Sequence, residues 1–115
     1  MKLHDLFNQP QRSIVRGSIA TGATTYTPDA SKGKVFVINT SASGTLANPI
    51  NMKDGEVIRL IFRITAATLT LTLGSKIKGS ITLTTTANRT DVFDLQYDKT
   101  NDIYLLINKT QAITH

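Results

Sequence analysis

The chain has no cysteine and no tryptophan, and its two histidines, His4 and His115, lie at its ends. Without thiols, neither a disulfide framework nor a thiolate metal site can form. Nucleophilic catalysis needs a Ser, Thr or Cys beside a rigidly held base, usually histidine. Imidazoles at chain ends lack that framework, and two of them do not make a clustered ligand set. No apolar run is long enough to cross a bilayer, and the opening MKLHDLFNQPQRS has no signal-peptide core. These absences point to a non-enzymatic protein with no catalytic residues, cofactor, metal or membrane partner, made in the cytoplasm.

Acidic residues are also few, 8 against 13 Lys and Arg, for a formal charge of +5. The positive residues are dispersed, and only Lys32/Lys34 and Lys76/Lys78 stand two apart. Nucleic-acid footprints are usually clustered and interleaved with aromatics, so these residues read as a solvated surface, and no nucleic-acid partner is expected.

Threonine is abundant, and its branched Cβ suits a pleated surface whose other face meets water. The clearest pattern is EVIRLIFRITAATLTLTL, from Glu56 to Leu73. Ile58, Leu60, Phe62 and Ile64 share one face of its first run, and Leu69, Leu71 and Leu73 one face of its second. The break at Thr65-Ala66-Ala67 is short enough for a hairpin. Further strands are expected at Ser13–Val15, Ser18–Tyr26, Lys34–Asn39, Thr45–Asn48, Ser80–Thr86, Asp91–Tyr97 and Asp102–Asn108. Strands and turns at this spacing predict an all-β chain: an antiparallel β-sandwich or jelly-roll-like domain of about eight short strands over residues 18–115.

Residues 1–17 read as an extended or short-helical arm. Leu3, Leu6 and Phe7 make one apolar stripe on a helical turn, which Pro10 would end. The stripe either belongs to a frayed tail or docks on another protein. The outer face of the central strand, Val57, Arg59, Ile61 and Arg63, has two readings as well. It is an edge face with snorkelling arginines, or a subunit interface in which Arg59 and Arg63 meet acids such as Asp91 or Asp94. Both faces of Lys34–Asn39 and of Asp102–Asn108 are apolar, which favours contact with another subunit. The acids Asp91, Asp94, Asp98 and Asp102 are accounted for by strand and turn positions. Asp98–Asp102 lacks the glycine and distal glutamate of a helical calcium loop, and Asp91 and Asp94 fall on opposite faces of a strand.

The run Pro49–Phe62, PINMKDGEVIRLIF, resembles the NPKDGQ-V-L-F segment of bacteriophage virion β domains. Leu71–Gly79, LTLGSKIKG, is similar to the strand and loop that follow it in those proteins. Asp91–Asp98, followed by Asn101 and Tyr104, resembles their D-v-f-l-yD-tn-wy ending. The resemblance spans roughly residues 35–108. One departure is the missing tryptophan near Ile103 or Tyr104. Such domains occur in head fibres, tail fibres and neck appendages, commonly as trimers. The resemblance therefore implies a small homotrimeric head fibre, decoration or adaptor protein in the virion, whose Leu3, Leu6 and Phe7 dock on a capsid or tail protein. The alternative is a β-sandwich module that binds a host-surface glycan or receptor, for which Tyr26, Tyr97 and Tyr104 are the available platforms.

Overall fold

The computed structural model describes residues 14–17 and 25–114, which hold nine strands and no helix. The central run forms a strand, β5 (Val57–Ile64), and Ile58, Leu60, Phe62 and Ile64 are all 0% exposed. Alternation of branched and aromatic residues with polar ones has put one complete face into the core.

Around β5 the chain winds between two sheets. β1 (Ile14–Gly17), β3 (Val35–Thr40) and β5 lie side by side and parallel in the large sheet. β2 (Thr25–Tyr26), β4 (Gly44–Leu46) and β6 (Leu71–Leu73) lie side by side and parallel in the small one. Each pass through the large sheet is thus followed by a pass through the small one, giving solenoid-like coils. β7 (Ile77–Lys78), β8 (Arg89–Asp98) and β9 (Ile103–Thr114) then complete the large sheet, whose order is β1-β3-β5-β8-β9-β7. β8 is antiparallel to both β5 and β9.

The all-β expectation holds, but the antiparallel jelly-roll arrangement is corrected to this mostly parallel winding. The Thr65–Ala67 break is not a hairpin turn: β5 and β6 belong to different sheets, and β6 pairs with β4. Ser80–Thr86 is not a strand either, although it buries Ile81 and Leu83. Of the expected Ser18–Tyr26 strand, Thr25–Tyr26 is present, and residues 18–24 lie outside the described residues, as do Leu3, Leu6 and Phe7.

The core lies between the sheets. Tyr26 and Leu46 from the small sheet meet Phe36, Ile38, Phe62, Phe93 and Leu95 from the large one. Phe62 sits at its centre, edge-on to Tyr26 at 6.1 Å and to Phe93 at 5.9 Å, a geometry that aligns ring edges with ring faces. Close approach of the coils is visible at Gly74, where a Cβ would come within 2.4 Å of Asn48 Oδ1 and 2.6 Å of its backbone nitrogen. The Gly74 N–H donates to Leu46 (2.7 Å), and Asn48 Oδ1 accepts from the Lys76 N–H (3.0 Å), so this spot ties β4 to the turn after β6.

Candidate functional site

The large sheet covers the core with one face and turns the other outward. The strand register arranges the outward residues in rows. Val35, Arg59, Asp94 and Asn108 form one row, and Val37, Ile61, Val92 and Thr110 the next. Asn39, Arg63, Thr90 and Ile113 form the third. Ile61, Val92 and Val35 are half-buried, and Val57, Ile107 and Ile113 are 38%, 50% and 39% exposed. This face is therefore apolar in its middle row, with polar and charged rows on either side.

The structure separates the two predicted arginines. Arg59 meets Asp94 in its own chain through two bonds, Nε donating to Oδ1 at 2.8 Å and Nη2 to Oδ2 at 3.0 Å. The guanidinium holds the Asp94 carboxyl below the usual range, and the carboxylate raises Arg59 in turn. Asn108 Nδ2 also reaches Asp94 Oδ2, at 3.4 Å. Arg63, beside the end of β5, has no ion pair among the described residues. The expected partner Asp91 faces the other way and is 0% exposed.

Asp91 has a role that the sequence reading missed. It accepts from the Thr84 N–H (2.7 Å), the Thr84 hydroxyl (2.6 Å), the Ala112 N–H (2.8 Å) and Gln111 Nε2 (3.3 Å). It thereby fastens residues 80–86 to a bulge in β9, where Ala112 has φ of 59°. The available signal was an acid in a position that its neighbours in the alternation, Phe93, Leu95 and Tyr97, mark as inward.

A further polar cluster is at the β8–β9 turn. Tyr97 and Tyr104 stack at 4.8 Å and 26°. The Tyr97 hydroxyl donates to Asp102 Oδ1 (2.8 Å), and Lys76 Nζ donates to Asp102 Oδ2 (2.5 Å). The neighbouring Asp102 carboxylate pushes the Tyr97 phenol up to about 12. Tyr104 is buried and donates to the Pro49 carbonyl (2.7 Å), and Tyr26 is buried in the core, so Tyr97 alone of the three tyrosines is half-exposed. Asp98 caps its own turn by accepting from Thr100 N (3.1 Å) and Asn101 Nδ2 (2.8 Å).

Among the described residues, no group of three or more His, Asp or Glu side chains could hold a metal ion, and no helix is long and apolar enough to cross a membrane. No family model, curated protein or solved structure matches the chain.

Proposed function

We propose that this chain is a non-enzymatic structural protein of a bacteriophage virion: a small trimeric head fibre, decoration or adaptor protein docked through its N-terminal arm. The observation that carries this reading is the outward face of the large sheet. Parallel ladders are usually covered on both sides, and this one presents Ile61 and Val92, each half-buried, beside the buried Val37. Arg59, Ile61 and Arg63 project from its central strand and form the subunit contact. The motif resemblance at residues 49–62, 71–79 and 91–104 supplies the virion setting. Two sheets around one core then make a sandwich-like body that projects from the particle, and repeated weak contacts hold it there by avidity.

The test is the solution mass of the full chain by light scattering, with binding to host-assembled phage particles measured beside it. A trimer that binds particles, and loses them when Leu3, Leu6 and Phe7 are all replaced by Ser, is the expected result. A monomer that ignores particles refutes the reading. A second reading, a glycan- or receptor-binding module, rests on the half-exposed Tyr97 ring beside the Lys76–Asp102 pair. Retention on a glycan array that Tyr97→Ala abolishes would favour it.

A further inference from the structure

Three loops meet around Tyr97 at one end of the large sheet. The Gly55 N–H donates to the Tyr97 carbonyl (2.8 Å), the Tyr97 N–H to the Glu56 carbonyl (3.0 Å) and the Lys99 N–H to Asp54 Oδ1 (3.0 Å). These bonds tie residues 51–56 to residues 98–102. The Tyr104 N–H donates to the Lys76 carbonyl (2.9 Å), which ties residues 74–76 to the start of β9. The Tyr97 ring is itself fixed at two points. Buried Tyr104 lies against one of its faces, and its hydroxyl is held by Asp102. Solvent therefore reaches the half-exposed ring from the side away from Tyr104. Beside it the Lys76–Asp102 pair keeps unused capacity. An ammonium has three N–H donors, of which Asp102 Oδ2 takes one, and each carboxylate oxygen keeps a lone pair beyond its bond from Tyr97 or Lys76. The two side chains are 45% and 51% exposed, so these groups are open to a ligand.

We propose that this loop end binds a neutral pyranose of a host-surface glycan, with the sugar's C–H face on the Tyr97 ring and two adjacent hydroxyls on Lys76 and Asp102. This rests on the glycan-binding reading above and gives it a ligand class and a set of contacts. A pyranose presents C–H groups on a face and hydroxyls around its rim, which suits an aromatic ring beside a few polar groups. Of two neighbouring hydroxyls, one can accept from the ammonium and the other donate to the carboxylate, and both bonds are charge-assisted. The loops are already tied to one another and the ring to Asp102, so little ordering is left to oppose binding.

Charge decides against the other ligands that an aromatic ring attracts. In these loops Lys53, Lys76 and Lys99 are matched by Asp54, Asp98 and Asp102. An acidic sugar would set its carboxylate against Asp102. The bases of a single-stranded nucleic acid could also stack on Tyr97, but its phosphates would find no net positive charge there. The site lies on the loops and not on the outward face around Ile61, so one projecting body can use both surfaces.

The chain has no tryptophan and two of its three tyrosines are buried, so a ligand-induced change in tyrosine emission reports on the Tyr97–Tyr104 stack. The full chain is applied to an array of neutral and acidic glycans and to a single-stranded oligonucleotide. Methyl pyranosides matching the retained glycans are then titrated while tyrosine emission is followed. The expected result is retention of neutral glycans with a saturable emission change, and an affinity lowered about tenfold or more by Asp102→Asn. Asp102 has φ of 53°, a conformation that asparagine also adopts, so this variant keeps the turn. Tyr97→Phe keeps the ring and should retain binding, whereas Tyr97→Leu should lose it, with circular dichroism confirming the fold of each variant. Neutral glycans held equally well by Asp102→Asn and Tyr97→Leu would overturn the site and leave a glycan-binding protein. Retention of acidic glycans alone, or of the oligonucleotide alone, would overturn the ligand class. An array with no retained glycan would remove the glycan-binding reading, and this inference with it.

Discussion

Replacing Asp91 by alanine should be among the most damaging single changes outside the apolar core. The carboxylate is fully buried and accepts four hydrogen bonds, two of them from the backbone N–H groups of Thr84 and Ala112. Truncation leaves those two donors without their acceptor, and each buried orphan costs about 1–3 kcal/mol. The donors share one acceptor group, so their losses are not additive, and the expected total is about 3–4 kcal/mol. Against a typical stability of about 5–15 kcal/mol this is a large fraction, equivalent to a fall in Tm of about 12–25 °C. Asp91→Asn keeps the shape and one acceptor oxygen and should lose less. Thr84→Val removes only the hydroxyl donor and should cost about 1 kcal/mol. Urea denaturation followed by circular dichroism ranks the three. A loss below about 1 kcal/mol for Asp91→Ala would refute the clamp, and an equal loss for Thr84→Val would show that the side-chain bond alone matters.

The remaining predictions concern the core, the coil contact and acid. Phe62→Ala empties the centre of the Tyr26–Phe62–Phe93 cluster and should cost about 3–5 kcal/mol in the same assay. Gly74→Ala drives a Cβ into Asn48, including its backbone, and should cost about 1–3 kcal/mol, whereas an exposed loop site would tolerate the change. The Asp94 carboxyl is lowered in the folded state, chiefly by Arg59, and Asp29 is lowered to about 2, chiefly by Asn51 and then Ser31. Groups lowered on folding bind fewer protons than in the unfolded chain, so their contribution is complete above the ordinary carboxylate value of about 4 and is lost as pH falls through the folded values. Urea midpoints should therefore drop between about pH 4 and pH 2, and less steeply for Arg59→Gln. Parallel curves for the variant and the unmodified chain would exclude the Arg59–Asp94 pair as a source of that slope.

The sequence shows which residues face inward more clearly than which strands are neighbours. Val57–Ile64 and Arg89–Asp98 could be located because period-two alternation depends only on one-sided burial, and Ile58, Leu60, Phe62, Ile64, Phe93 and Leu95 are all fully buried. That same pattern arises in parallel and antiparallel ladders alike. Thr65-Ala66-Ala67 therefore looks like a hairpin break, while the pairing of Leu71–Leu73 with Gly44–Leu46 is a long-range choice with no local mark. Ser80–Thr86 alternates for yet another reason. Ile81 and Leu83 insert into the core from an irregular segment, whose Thr84 bonds Asp91 in place of a ladder. For the candidate site, the sequence identifies Arg59, Ile61 and Arg63 as outward residues of one strand. It cannot assign Asp94 to Arg59, because that pairing depends on the β5–β8 register.

That register also bears on what covering the outer face would cost. Charges withdrawn from water are expensive unless they are paired and hydrogen-bonded. Had Arg59 pointed outward alone, a neighbouring subunit would have needed to supply an acid or leave the charge in solvent. Here Asp94 stands directly across from Arg59 and engages it through two nitrogens, and Asn108 in the same row adds a further donor to that carboxylate. The pair is satisfied before any partner arrives, so covering it leaves no orphaned charge. The driving force then falls to the apolar row of Ile61 and Val92, at about 25 cal/mol for each Å² removed from water. Arg59 is thus settled within the chain, whereas Arg63 on the same face has no ion pair among the described residues. An acidic or basic partner would gain little from Arg59, because that guanidinium is already held.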